Sequence, residues 1–182
     1  MRLRRRQGRF FLAFILVFGG SFSVAPALAL LIHNEPSGFR GNLWGASPKE
    51  CASLTFVSGQ GVTESGQQVE IYDRSPVGIS LNGATPTRIR YRFLDNKLES
   101  VQLSYEGRSN RDRLLQLMED RYGRLTPGER KFVARAEWDG FETTVVLSFN
   151  PDTGIGSLWF SSTMLNREFT DYKYWSESKG PS

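Results

Sequence analysis

One cysteine and one histidine are all that this chain offers of the residues that most often carry nucleophilic or metal chemistry. A lone cysteine, Cys51, excludes an intramolecular disulfide. A Ser-His-Asp or Cys-His arrangement needs an imidazole held within hydrogen-bond reach of the nucleophile on a rigid scaffold. His33 instead falls just past an N-terminal leader. With one residue of each type, a zinc site of the usual ligands is excluded as well, and no metal is expected. The sequence also lacks G-x-x-x-x-G-K-S/T and any strand-linked G-x-G-x-x-G, and Gly59-Gln60-Gly61 lies in a polar stretch with no helix after it. No nucleotide or other cofactor is expected. Cys51 shares one side of a short helical stretch with Leu54, which reads as burial and not as a thiol activated at a helix N-terminus.

What is present begins with an address. Arg2, Arg4, Arg5, Arg6 and Arg9 form a basic head, Phe10–Phe18 (FFLAFILVF) is an unbroken apolar run, and Ala25-Pro26-Ala27-Leu28-Ala29 offers two small-x-small exits. That order describes a secretory signal peptide over residues 1–29. The run is shorter than the about 20 residues that span a bilayer, so membrane contact is expected only through this segment, where it stays attached. Cys51 lies too far downstream for lipid attachment, and Arg5-Arg6 is followed by Gln7-Gly8, unlike a twin-arginine signal. A periplasmic or secreted protein is the expectation. The leader also changes the electrostatics. The whole chain has 23 Lys+Arg against 19 Asp+Glu, but five arginines and no acid fall in residues 1–29. The remainder is nearly neutral, which removes the argument for nucleic acid as a partner.

The roughly 150 residues that follow suit one domain with its own core. Residues 30–38 read as a flexible lead-in, 39–165 as a single domain and 166–182 as a tail in which Phe169, Tyr172, Tyr174 and Trp175 stand among charges. Ser47-Pro48-Lys49-Glu50 is a capping box with proline at the first helical position, and predicts a short helix over Pro48–Leu54. Thr55–Gln68, rich in Gly, Ser, Thr and Gln, reads as a loop or weak edge hairpin. Val69–Tyr72 and Val77–Leu81 read as short strands. The clearest pair is Arg88–Leu94 with Leu98–Tyr105. A three-residue connection, Asp95-Asn96-Lys97, sets Leu94 opposite Leu98, Tyr91 opposite Val101 and Ile89 opposite Leu103, all on one face. Leu114, Leu115, Met118 and Tyr122 make the stripe of a longer helix from Ser109 or Asn110, ended by Gly123. Alternation at Phe132–Trp138, at Thr143–Phe149 and over Ser157–Ser161 predicts three more strands. The fold class that follows is α+β: an antiparallel sheet of six to seven strands with one short and one longer helix on one face.

One polar pattern stands out. Arg88, Arg90 and Arg92 project from the same face of their strand about 7 Å apart. They read as a ligand-binding row for a polyanionic or carboxylate-bearing partner, or as a solvated face balanced by acids such as Glu99 or Glu106. Paired carboxylates able to cleave a glycosidic bond, with Glu137, Asp139 and Glu142 as candidates, are not singled out by any pattern.

The opener Phe39, Gly41, Trp44, Gly45, Ser47, Glu50 (F-x-G-x-x-W-G-x-S-x-x-E) resembles the start of small exported bacterial proteins without an assigned activity. The Tyr91–Leu98 hairpin and the Tyr122-Gly123 helix end are similar to theirs too. In element order the chain also resembles the helix-plus-sheet modules of outer-membrane assembly lipoproteins and β-lactamase inhibitory proteins, from which the missing lipobox cysteine departs. The resemblance implies a fold, a compartment and a structural role for the opener, and no catalytic residue. The function expected is a non-enzymatic envelope module that binds a protein or cell-wall component through its sheet face. The alternative is a periplasmic hydrolase of an envelope polymer working through carboxylates.

Overall fold

The computed structural model describes residues 34–63, 66–126 and 134–166. The leader, His33, Phe132 and the aromatic residues of the tail lie outside the described residues. In chain order the elements are β1 (Gly38–Phe39), β2 (Asn42–Leu43), β3 (Leu54–Val62), β4 (Gln68–Arg74), β5 (Arg88–Leu94), β6 (Lys97–Glu106), α1 (Arg108–Tyr122), β7 (Arg135–Asp139), β8 (Thr143–Phe149) and β9 (Ile155–Ser162). Residues 163–166 are helical. β1 and β2 make a small ribbon, and the other seven strands form one sheet in the order β3-β4-β5-β6-β9-β8-β7. Every neighbouring pair is antiparallel. The class is α+β, with one longer and one short helical segment.

Period-2 patterning sets the core. Tyr72, Tyr91, Val101, Phe160, Val145 and Trp138 stand opposite one another in turn across six strands. The neighbouring inward row is Ile89, Leu103, Leu158, Leu147 and Ala136. Leu114, Leu115, Met118 and Tyr122 of α1 pack on these rows as one buried cluster. On the other face the short helical segment 163–166 reaches the sheet at Asn166, beside Arg92 and Ser161.

The hairpin register is the expected one, reached by another route. Asp95 and Asn96, with φ of 45° and 63°, make a two-residue turn, so Leu94 pairs with Lys97 and not with Leu98. A regular ladder from that turn would set Tyr91 against Ser100 and mix the faces. A bulge between the Arg92↔Ser100 and Phe93↔Leu98 pairs takes up Glu99 and restores Tyr91↔Val101 and Ile89↔Leu103.

Other expectations are corrected. Pro48–Leu54 is not a helix. Overlapping turns close through Glu50 N–H to Ser47 O (3.0 Å) and Cys51 N–H to Pro48 O (3.3 Å), and β3 already begins at Leu54. So short a segment does not recover the cost of helix nucleation, and Leu54 is claimed by its pairing with Arg74. Half of the capping box survives, since the Ser47 amide donates to Glu50 Oε2 at 2.7 Å. That bond holds the Glu50 carboxyl below its ordinary range. The Ser47 hydroxyl also donates to the same carboxylate instead of accepting from an amide. Within Thr55–Gln68, β3 forms an edge strand. Val77–Leu81 forms no strand, only a bridge between Leu81 and Ala84; Pro76 has no amide to donate, and Gly78 at φ 33° turns the chain out of line.

The lead-in is tied down from Glu35 onward. Glu35 Oε1 accepts from the amides of Glu142 (2.5 Å) and Thr143 (2.6 Å). The Thr143 hydroxyl donates to Pro36 O, and Trp44 Nε1 donates to that hydroxyl at 2.7 Å. Gly45 N–H to Leu98 O (3.0 Å) and Leu98 N–H to Ala46 O (2.8 Å) dock the opener onto the start of β6. Phe39 is buried against Phe160, with ring centroids 5.2 Å apart.

Candidate functional site

The sheet face opposite α1 is assembled from the outward residues of the same strands. Three rows cross β5, β6, β9 and β8 into β7. The first is Arg92, Ser100, Ser161, Thr144, Asp139; the second is Arg90, Gln102, Trp159, Val146, Glu137; the third is Arg88, Ser104, Ser157, Ser148, Arg135. The middle three strands therefore present a block of nine neutral residues with Trp159 at its centre. At ordinary strand spacings that block measures about 10 by 14 Å. Trp159 and Val146 are half-buried, and their neighbours Ser100 and Ser161 are buried. A cavity of about 340 Å³ opens beside them, lined by Thr144, Ser161 and Trp159 and by charged residues at both ends. A second, of about 390 Å³, continues from it past Ser148 and Ser157. Ser148 Oγ and Ser157 Oγ are hydrogen-bonded across the strands at 2.8 Å.

Charge is confined to the margins and is compensated there. Arg88, Arg90 and Arg92 share the face, as the alternation requires, but each meets an acid. Arg90 Nε donates to Asp73 Oδ1 at 3.0 Å, and Arg88 Nε lies 3.6 Å from Asp73 Oδ2. Arg92 Nη1 donates to Glu99 Oε2 at 2.9 Å. Glu99 is buried and also accepts from the Ser100 hydroxyl at 2.6 Å. On the far margin Arg135 Nη2 donates to Glu137 Oε2 at 2.9 Å. The arginine row is thus the positive half of a set of ion pairs whose acids are Asp73 and Glu99.

Two of these features escaped the sequence reading. Trp159 was legible: it lies between the inward Leu158 and Phe160, so alternation alone turns it outward. Asp73 falls just past the Val69–Tyr72 strand expected from sequence, yet β4 runs through Arg74.

The carboxylate candidates are scattered. Glu137 faces the cavity, Asp139 is half-buried at the end of β7, and Glu142 is exposed in the β7–β8 turn. Glu99 and Glu137 line the same cavity, but their strands lie three spacings apart, about 14 Å at ordinary sheet geometry. Two carboxylates that cleave a glycosidic bond stand about 5–10 Å apart. Among the described residues no group of three or more His, Cys, Asp or Glu is placed to hold a metal ion. Cys51 is buried in the core, and that burial, with Glu50 beside it, raises its thiol pKa. No helix among the described residues is long and apolar enough to cross a membrane. No family model matches this chain, and neither does any curated protein or solved structure.

Proposed function

We propose that this chain is an exported cell-envelope binding protein without catalysis of its own, docking a protein or cell-wall component on the sheet face opposite α1. The observation that carries the reading is the neutral block centred on Trp159 and ringed by ion pairs. A half-buried aromatic anchor within a polar rim is the composition of an interface hot spot. Arg88, Arg90 and Arg92 act in this reading as the rim that orients the partner, their charge already balanced by Asp73 and Glu99. The hydroxyls of the half-buried Thr144 and Ser157 supply hydrogen bonds to a neutral, polar ligand. The leader-like N-terminus supports export.

The test is retention by isolated cell-wall sacculi and by immobilised envelope proteins, comparing the purified protein with Trp159→Ala. Loss of a central aromatic anchor costs about 2–4 kcal/mol of binding, so retention falls at least thirtyfold while the thermal midpoint holds. Equal retention by both forms refutes the reading. Turnover of the wall polymer by the unaltered protein would favour the hydrolase instead.

A further inference from the structure

The two borders of the seven-stranded sheet are built differently. β7 places Arg135, Glu137 and Asp139 at alternate positions, and charged side chains on an edge strand deter pairing with another chain. β3 has none of these charges. Its nine residues, LTFVSGQGV, include no charge and no proline. Phe56, Val57 and Val62 are 55%, 47% and 63% exposed. It pairs with β4 on one side, and among the described residues no strand lies on its other side.

We propose that β3 pairs antiparallel with β3 of a second copy of this chain, about a two-fold axis near Ser58, joining the two sheets into one. The sequence of the strand is self-complementary in that register. Leu54 falls opposite Val62, and Val57 falls opposite Gly59, whose missing side chain leaves room for it. An uncharged strand meets its reversed copy without like-charge conflict, as an isologous contact requires. A foreign extended peptide is selected by side-chain pockets and charges, neither of which β3 presents. Register shifts at Phe56/Ser58 and Gly59/Val62 add twist along this border and leave the three apolar side chains outside. The contact is independent of the face opposite α1.

Sedimentation analysis of the purified protein over a range of concentrations tests this. The expected result is a dimer that dissociates on dilution, with amide protection over residues 54–62 rising with concentration. Val57→Glu and Val57→Lys each weaken the dimer at least tenfold, because both copies carry the new charge close to the axis. Mixing the two variants restores it, a rescue that misfolded protein would not show, and Trp159→Ala remains dimeric. A single-copy mass at every concentration overturns the proposal. So do charged variants that dimerise as well as the unaltered protein, or an extended peptide that occupies the edge of a monomer.

Discussion

Gly156 carries no side chain because Tyr105 occupies the place where one would stand. A Cβ built there meets the Tyr105 ring and hydroxyl at 2.3–2.5 Å. The ring cannot retreat cheaply. It is fully buried, stacked on Phe149, and its hydroxyl donates to Ser148 O at 2.7 Å, reaching over the intervening strand. Gly156→Ala is therefore an overpacking substitution, and its expected cost is about 1–3 kcal/mol, read as a lower urea midpoint at unchanged slope. A midpoint equal to that of the unaltered protein would show that the ring gives way freely. The glycine is visible in the sequence, its reason is not: Tyr105 lies fifty-one positions away in register with it only because β6 and β9 pair after the helix.

At the scale of elements, the Glu99 bulge decides which side chains share a face. Its removal makes a sharp prediction. Without Glu99 the pairs Phe93↔Leu98, Arg92↔Ser100 and Tyr91↔Val101 follow one another in a regular ladder. The deletion variant is expected to fold with the same near-ultraviolet circular dichroism. It loses about 1–3 kcal/mol, the cost of removing the Glu99 carboxylate that Arg92 and Ser100 donate to. Deleting Glu99 and Ser100 together moves Val101 opposite Arg92, exposes Leu103 and Tyr105, and should abolish folding, as a one-residue slip reverses every side chain. The opposite pair of outcomes would mean that the register is fixed elsewhere. Alternation of Ile89, Tyr91 and Phe93 against Val101, Leu103 and Tyr105 was enough to read the pairing from sequence. Turn length and bulge were not separable, because a three-residue loop and a two-residue loop with one bulge satisfy the same face constraint. β3 was legible only as a weak edge hairpin for a related reason. Gly59, Gly61, Ser58 and Thr55 give no alternation, and pairing with β4 supplies what the local pattern lacks. The Trp159 block required the strand order β6-β9-β8 as well as each strand's own period, and that order is a tertiary fact.

At the scale of the whole molecule, one interior holds three tyrosines whose phenols titrate late. Burial is the leading cause for Tyr91, Tyr105 and Tyr122 alike, and it pushes each upward from the ordinary phenol value. A group whose folded pKa is raised binds its proton more tightly in the native state. Its stabilising contribution is thus complete below about pH 10, the unfolded value, and is lost as pH rises through the folded values. Stability should fall above about pH 10, with tyrosinate absorbance from these residues appearing together with loss of structure. Tyrosinate that develops fully while the fold persists would contradict this placement.

The unequal borders of the sheet have a consequence for growth. If β3 joins two copies as proposed, a molecule with one receptive side and one charged side ends its own assembly: among the described residues, β7 with Arg135, Glu137 and Asp139 then forms the border at either extremity. Growth by edge pairing would then halt at two copies and not run on into a fibril.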